Sequence, residues 1–293
     1  MISYSIIIPT HNRHKLMKKN IEYFSKFQDC QIYICDSTEI KYLEEFPCNI
    51  TYIHMPNKSF IEKMYQILSD VESEYVAVCA DDDFIIESTT LNIVSKIRSE
   101  NYVMGVGRYA GFDLPFEGFY NIYKNLPKVE SKIPFLRVVN YLSNYHMSLW
   151  AVYKKSSILK CYEILKKSNI TNSNLIELTI AINSAIDGKI LFTEEFYGVR
   201  EVNNSNSENW AKQHLTLLGT FKRNRKLILN EIKNLSINSS NKKLFIIGFY
   251  IYLFDSFKNR IKNKFFNNKK IKKESIIDEK LNLLITKIIK DNY

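Results

Sequence analysis

Short apolar runs alternate with amphipathic stretches along the first third of the chain. The runs have the length of a strand and are rich in Ile, Val and Tyr, a composition that favours β-strands over helices. They occupy residues 3–9, 31–35, 50–55, 75–80 and 102–107. Apolar residues at helical spacing lie between them, at 14–27, 59–70 and 89–99. This alternation predicts an α/β fold, Rossmann-like, with a mostly parallel sheet flanked by helices.

The pattern changes further along. Residues 112–144 contain Pro115, Pro127 and Pro134 and predict loops with short helices. Apolar runs predict further strands, and a periodic segment ending at Gly188 predicts a helix. The predicted strands are 145–153, 190–192 and 197–202, and the helix is 174–187. No strand pattern follows residue 208, where helices are expected at 208–235, 242–257 and 274–290.

Length, cysteine usage and charge narrow the class of protein. The chain has 293 residues and five cysteines without a C-x-x-C pair, which favours free thiols in a reducing cytosol. It begins directly with a strand-like run, and no apolar stretch reaches the roughly 18 residues of a membrane-spanning helix. Of the formal net charge of +10, eight basic residues lie between Lys258 and Lys273 with no acidic residue among them. The expected location is the cytoplasm.

Carboxylates follow two of the predicted strands. Asp36 ends the second strand, and Asp81, Asp82 and Asp83 follow the fourth. Parallel strands bring their carboxyl ends to one edge, where α/β proteins bind ligands. Three adjacent carboxylates repel one another unless a divalent cation joins them. The alternative is an acidic turn in water that caps the next helix. No G-x-G-x-x-G follows the first strand, and no G-x-x-x-x-G-K-[ST] occurs in the chain.

Three segments together resemble a known family. They are Ile6–Arg13 (IIIPTHNR), Cys35–Thr38 (CDST) and Tyr75–Phe84 (YVAVCADDDF). Their order and separation resemble the glycosyltransferases of family 2 type with the GT-A fold, over roughly the first 110 residues. The resemblance implies a nucleotide-sugar-binding half at 1–110, an acceptor-binding half at 111–207 and a helical C-terminal region with a basic tail at 208–293.

The same resemblance implies roles for individual residues. Asp36 would hold the base or ribose of the donor, Asp82 would lie toward its sugar or ribose, and Asp83 would ligate Mn²⁺ or Mg²⁺ on the diphosphate. Met64 stands where such enzymes often carry Asn, a departure that bears on base recognition. UDP-sugar is the preferred donor, with CMP- and GDP-sugars open. The implied donor-binding residues are Pro9, Thr10, Asn12, Arg13, Asp36, Asp81, Asp82, His146 and Arg200.

Glu177 is the candidate catalytic base, because an acidic residue at the start of such a helix deprotonates the acceptor hydroxyl in the resembled enzymes. The usual Glu-Asp pair is Glu177-Leu178 here. The alternative is local, since Asn174-x-x-Glu177 is close to a capping box and Glu177 could serve only the helix N–H groups.

Three further polar residues have open roles. His146 either contacts donor phosphates or acceptor, or is a hydrogen-bonded structural histidine. Arg200 either binds the diphosphate, since a guanidinium matches phosphate oxygens, or forms a surface ion pair. His214 has no spaced partner that would make it a metal ligand.

An aromatic segment, 244–254, is followed directly by the basic run. Residues 244–273 therefore predict either docking on an anionic membrane surface, with the protein peripheral on its inner face, or a packed helix with a solvated basic loop. Nucleic acid is not an expected partner, since no recognition motif accompanies the charge.

These observations predict a metal-dependent, inverting glycosyltransferase acting on a hydroxyl of a glycan or lipid-linked acceptor in surface polysaccharide synthesis. Two other classes compete with it. A nucleotidyltransferase would need a Gly- and Lys-rich phosphate loop, which Pro9–Arg13 does not supply. A degenerate transferase fold could serve as a non-catalytic glycan- or membrane-binding module.

Overall fold

The computed structural model describes residues 4–113, 119–121, 126–146, 149–170, 172–201 and 217–266, with 283, 285–288 and 290 near the C-terminus. Nine strands in this part of the chain join in one sheet, in the order β3-β2-β1-β4-β8-β6-β9-β5, with β7 paired to β6. The strands are β1 Tyr4–Thr10, β2 Cys30–Asp36, β3 Ile50–His54, β4 Tyr75–Val78, β5 Asp83–Ile85, β6 Tyr102–Phe112, β7 Phe119–Asn121, β8 Val152–Lys154 and β9 Lys189–Glu201.

Helices cover the sheet and form the C-terminal region, which confirms the predicted α/β architecture. Beside the sheet lie α1 His14–Phe24, α2 Phe60–Asp70, α3 Glu87–Glu100, α4 Pro134–Leu142, α5 Lys155–Ser168 and α6 Ser173–Asp187. The C-terminal helices are α7 Leu217–Arg223, α8 Arg225–Asn238 and α9 Lys242–Phe266. None of the helices in the described ranges combines the length and apolarity needed to cross a membrane.

The parallel part of the sheet is the part that the sequence pattern predicted best. Strands β3, β2, β1 and β4 are parallel neighbours. Every residue of β1 and β4 is buried, which explains their continuous apolar runs. Antiparallel pairs enter where β8 joins β4 and β6, and where β5 joins β9. The sheet is therefore parallel at its N-terminal half and mixed beyond it.

Three strand predictions were wrong in their bounds. Among the described residues of the run 145–153, only Val152 and Tyr153 are in a strand, β8, which extends to Lys154, and the strands predicted at 190–192 and 197–202 are one strand, β9. Strand β9 stays continuous because it pairs in parallel with β6 over most of its length, with register shifts near Val106 and Arg108. These irregularities carry the polar residues 193–195 through the strand without ending it.

One hydrophobic core joins the sheet to the C-terminal helices. It contains Ile6 and Val76 of the sheet, Ile182 of α6 and Phe249 of α9, all fully buried. The domain boundaries at residues 110 and 207 stay a prediction. The described C-terminal helices begin at Leu217 and end at Phe266, so His214 and most of the helix predicted at 274–290 lie outside the described residues.

Candidate active site

The first aspartate of the acidic run is held by the turn after β1. Arg13 Nη1 donates to Asp81 Oδ1 at 2.8 Å and to Asp82 Oδ2 at 3.3 Å, and the Thr10 hydroxyl donates to Asp81 Oδ2 at 2.8 Å. Burial and the neighbouring Asp82 raise the pKa of Asp81, and Arg13 works against this rise. The predicted donor-binding residues Thr10, Arg13, Asp81 and Asp82 thus form one connected group, and Pro9 is buried in β1 beside it.

Asp83 lies in β5, at the end of the sheet away from β3, and is held there by Arg200 of the neighbouring strand β9. Its side chain is fully buried. Arg200 Nε donates a hydrogen bond to Asp83 Oδ1 at 2.7 Å, and Arg200 Nη2 donates one to Asp83 Oδ2 at 2.5 Å. Burial raises the pKa of Asp83 to about 6, although Arg200 acts in the opposite direction. The Arg200 guanidinium also lies over the ring of Tyr109, 5.2 Å from its centroid. Arg200 therefore forms a bidentate ion pair with a buried carboxylate.

Asp36 is the centre of a second polar network. Its Oδ1 accepts hydrogen bonds from the Thr38 amide at 2.8 Å and the Thr38 hydroxyl at 2.5 Å. Its Oδ2 lies 2.8 Å from both His14 Nε2 and the Tyr52 hydroxyl. Burial opposes ionisation of Asp36, but the donors from Thr38, Tyr52 and His14 prevail and hold its pKa below the ordinary value. Asp36 is therefore ionised and fully buried, and its carboxylate connects Thr38, Tyr52 and His14 at this edge of the sheet.

Asn12 links the two networks. Its backbone amide donates to Thr38 Oγ1 at 2.8 Å, while β1 and β2 pair Thr10 with Asp36. Asn12 has φ 56°, in the left-handed region that Asn tolerates better than most residues. This turn after β1 brings Arg13 back to the carboxylates.

Lys63 of α2 lies next to the carboxyl ends of β1 and β2, and the sequence did not predict it as part of the site. Its Nζ donates to the Thr10 carbonyl at 2.5 Å and to Ser37 Oγ at 3.1 Å, so it joins the carboxyl ends of β1 and β2. Burial lowers the pKa of Lys63. A signal existed, because Lys63 lies four residues before Ile67 on the apolar face of an amphipathic helix.

The acidic run has the type of ligand that a divalent cation prefers, but its carboxylates are not arranged as a metal site in this structure. Carboxylate oxygens are the ligands that Mg²⁺ and Mn²⁺ prefer. Asp82 has 26% of its side chain exposed, whereas both oxygens of Asp83 are engaged by Arg200. Within the described ranges, no three acidic, His or Cys side chains converge as a ready metal site. Asp82 can therefore offer oxygen as it stands, and Asp83 only when Arg200 gives up its pairing.

Glu177 lies in the second turn of α6 and belongs to an aromatic group. The Tyr145 hydroxyl donates to Glu177 Oε1 at 2.5 Å, and the Tyr145 ring packs edge-on against Tyr252 of α9, with centroids 5.1 Å apart. Asn172 caps α6, with its side chain accepting from the Asn174 amide. The capping-box alternative for Asn174 and Glu177 is therefore wrong, since the helix begins at Ser173. The base role of Glu177 stays a prediction.

His146 is adjacent to this group in the chain and is buried. Its Nδ1 lies 3.0 Å from the Asn144 carbonyl oxygen, and its ring packs edge-on against Phe192. Burial lowers the pKa of His146. A donor or acceptor contact by His146 stays a prediction.

Tyr109 connects the Arg200 group with the segment before β8. Its ring lies under Arg200, and its hydroxyl donates to the Trp150 carbonyl at 3.2 Å. Gly198 makes room for this ring, because a Cβ at Gly198 would lie 2.4 Å from Tyr109 Cε1. The contact between Tyr109 and Gly198 could not be predicted from local sequence, because the pairing of β6 with β9 brings these two residues together.

Comparison with known proteins identifies the class. The model of glycosyl transferase family 2 matches residues 5–155, more than half of the chain. The chain therefore belongs to that family and is a glycosyltransferase, as the three motif segments predicted. No curated protein matches the chain in sequence.

Solved structures show a similar fold at low identity. The S. aureus TarS 1-349 structure in complex with UDP-GlcNAc is 14% identical, with a TM-score of 0.54, over 91% of this chain and 76% of that one. The S. aureus TarS 1-349 structure in complex with UDP is 12% identical, with a TM-score of 0.48, over 92% and 95% of the two chains.

Proposed function

We propose that this glycosyltransferase moves a sugar from a nucleotide-sugar, preferably a UDP-sugar, to a hydroxyl of a glycan or lipid-linked acceptor. The observation that carries the proposal is the meeting of Thr10, Arg13, Asp36 and the aspartates 81–83 at the carboxyl ends of β1, β2 and β4. Ligands of α/β sheets bind at such an edge. The UDP-GlcNAc complex of the structurally similar TarS supports UDP as the nucleotide.

Metal dependence is proposed from the charge of the acidic run. Asp81, Asp82 and Asp83 face the guanidiniums of Arg13 and Arg200, which leaves one formal negative charge where a diphosphate is expected. Asp82 and Asp83 are the residues that would hold Mn²⁺ or Mg²⁺, and the cation would supply positive charge to the departing nucleoside diphosphate. Arg13 and Arg200 add to that stabilisation as bidentate donors to phosphate oxygens.

Arg200 has two proposed tasks that exclude each other. It holds Asp83 through both carboxylate oxygens, and the same guanidinium donors are needed for bidentate binding of a diphosphate. We propose that Arg200 exchanges Asp83 for the diphosphate when the donor binds. Asp36 faces a similar exchange, because four donors already occupy it. His14, with 29% of its side chain exposed, is the donor that a base or ribose would replace.

The proposed chemistry is a single in-line displacement with inversion. The acceptor oxygen bonds to the anomeric carbon while the bond from that carbon to the diphosphate oxygen breaks, and Glu177 takes the hydroxyl proton. Tyr145 supports this role because its hydrogen bond fixes the orientation of the Glu177 carboxylate. The proposed location is the cytoplasm, since all five cysteines are free thiols, as is typical of a reducing compartment.

Thermal unfolding of the full chain with UDP, GDP or CMP, with and without Mn²⁺, tests the donor site. A ligand at a hundredfold excess over its Kd stabilises the native state by about 2.7 kcal/mol. We expect UDP with Mn²⁺ to raise the Tm, and Asp82→Asn and Asp83→Asn to lose the Mn²⁺-dependent part. Asp70→Asn, an exposed aspartate at the end of α2, is the matched control.

Two outcomes would contradict parts of this proposal. UDP stabilisation that is equal without Mn²⁺ and in both variants would remove metal dependence but keep the nucleotide site. No response to any nucleotide from a folded sample would remove the donor site. Release of UDP from UDP-sugars in the presence of glycan acceptors then separates an enzyme from a binding module, because a module binds without turnover.

A further inference from the structure

Helix α9 exposes a continuous row of large apolar side chains to solvent. The row is called here the apolar stripe, and between 37% and 72% of the surface of each member is exposed. Its members are Ile247, Tyr250, Phe254, Phe257 and Ile261. Intervals of three and four residues place all five on one face of a helix. Scattered exposed apolar residues are ordinary, but a contiguous row marks an interaction surface.

The stripe is not the face by which α9 joins the core. Phe245 and Phe249 are fully buried, and Leu253 is nearly so, at intervals of four residues on a different face. Gly248 lets this side approach α4 and α6, since a Cβ there would lie 3.1 Å from Val138 and 3.2 Å from Ile182. Helix α9 is therefore fixed by one apolar face and offers a second one.

Helix α4 widens the exposed surface. An open cleft of about 450 Å³ lies along the surface where α4 and α9 meet, with Val139 and Ser143 on one wall and the stripe residues Tyr250 and Phe254 on the other. Phe135, one turn before Val139, is 45% exposed. The surface is thus a broad apolar face made by two helices, wider than a single ridge.

Basic residues border this surface. Residues 242–273 contain ten lysines and arginines and one acidic residue, Asp255. Lys242, Lys243 and Lys258 are exposed on α9, and Lys132 is exposed just before α4. An apolar face beside basic side chains fits an anionic lipid surface, where the apolar groups enter the interface and the lysines meet phosphates.

Charge argues against a second copy of the chain as the occupant. A parallel pair of α9 helices would place the two basic runs side by side. An antiparallel pair would place each run near Lys242 and Lys243 of the other copy. Both arrangements bring like charges together, whereas an anionic bilayer neutralises them. The C-terminal Ile285 and Ile288 are buried in a different cluster, with Phe84 and Val199, and so do not cover the stripe.

We propose that the apolar stripe of α9, together with the exposed side of α4, docks on an anionic lipid bilayer. The helix lies along the surface, with Tyr250 and Phe254 inserted among the head groups and upper acyl chains. Membrane docking by this surface is a function separate from sugar transfer and does not depend on which donor the enzyme uses.

Flotation of the full chain with vesicles tests the proposal. The probes are phosphatidylcholine vesicles and vesicles of phosphatidylcholine with a quarter phosphatidylglycerol. We expect binding to the anionic vesicles, weakened by about tenfold or more with neutral vesicles or in high salt. The double variant Tyr250→Ser/Phe254→Ser should lose about tenfold or more in affinity. Ile40→Ser/Leu43→Ser, which removes two apolar side chains that are even more exposed than Tyr250 and Phe254, is the control.

Folding and donor binding are measured on the same samples. Tyr250 and Phe254 are exposed, so their removal should leave the Tm unchanged, and UDP stabilisation should be retained in the stripe variant. Equal vesicle binding by wild type and the stripe variant would overturn the proposal. So would absence of vesicle binding, including the case in which light scattering finds a dimer that the stripe variant abolishes. A failure of UDP to stabilise the wild type would count against the donor site only.

Discussion

Asp83 and Arg200 stand directly opposite each other on antiparallel strands and form a bidentate ion pair, although 117 residues separate them in the chain. The Asp83 side chain has no exposed surface. The pair therefore fastens the end of the acidic run to the end of β9, its neighbour at the edge of the sheet.

Removing one partner of this pair should be costly. Arg200→Met leaves a buried carboxylate without its cation, which typically costs about 3–5 kcal/mol. Urea unfolding of the variant measures the loss. Replacing both partners, in Asp83→Asn/Arg200→Met, should recover much of it, since no unpaired charge remains. Lys18→Met, which breaks an exposed pair with Glu44, is the control, with an expected change far smaller than that of Arg200→Met. A loss below about 1 kcal/mol for Arg200→Met would contradict the buried pairing.

Gly198→Ala should disturb the Arg200 group through Tyr109. The new Cβ would lie 2.4–2.8 Å from three atoms of the Tyr109 ring, so the ring has to move from under Arg200. Overpacking of this kind costs about 1–3 kcal/mol, and nucleotide stabilisation should fall with it. Gly248→Ala is the comparison variant, with a smaller expected loss, because its nearest atoms lie at 3.1–3.2 Å and have to move less than the Tyr109 ring. Unfolding curves that show equal effects for the two variants would argue against a tight contact at Gly198.

Glu177→Gln separates a base from a structural residue. If Glu177 removes the acceptor proton, kcat should fall by roughly 10²–10⁴-fold, while UDP stabilisation stays unchanged. Tyr145→Phe removes the hydrogen bond to Glu177 Oε1 and should lower kcat by a smaller factor and shift the acidic limb of the pH–rate profile. The control is Glu163→Gln, at a partly exposed position of α5. Retention of kcat in Glu177→Gln, in a protein of unchanged donor binding, would remove the base assignment.

Lys63 should give the protein a pH-dependent stability at alkaline pH. Burial lowers the pKa of Lys63 in the native state, so between that value and about 10.4 the unfolded state binds more protons than the native state. Stability contributed at this site therefore rises with pH across that window, as the buried lysine becomes neutral. Lys63→Met removes the titration. The free energy of unfolding of wild type minus that of Lys63→Met should increase from pH 8 to pH 10 in urea titrations. A difference that is flat or falls over this range would show that the pKa of Lys63 is not lowered in the native state.

Local sequence was sufficient for the parts of the site that local physics controls. The runs that became β1 and β4 are apolar because every residue in them is buried, and β2 is buried toward its carboxyl end. Polar residues end or follow these strands at one edge of the sheet. Ser59 and Glu62 form a capping box at the start of α2, and the sequence pattern S-x-x-E is enough to indicate it, because both partners lie within one helical turn. The resemblance to family 2 glycosyltransferases rested on these same segments and was confirmed.

Pairing across the fold was not visible in the same way. Arg200 was predicted to bind phosphate or to form a surface ion pair, but its carboxylate partner is the buried Asp83. Asp36 was expected to hold the base or ribose of the donor, which stays a prediction, and its contacts with His14 of α1 and Tyr52 of β3 were not visible in the sequence. The partners of a side chain depend on which distant elements pack beside it, and spacing along the chain carries no direct measure of that.

The sequence by itself determined the alternation of β1 to β4 and β6 with the helices α1 to α3, the carboxylates at the strand ends and the family of the enzyme, because hydrophobic periodicity and short motifs are local properties. Only the tertiary structure decided that Arg13 and Arg200 divide the three aspartates between them, that Lys63 lies buried below the strand ends, and that α9 presents one apolar face to the core and another to solvent. Those arrangements follow from register and packing between elements far apart in the chain, where burial decides which charges need a partner.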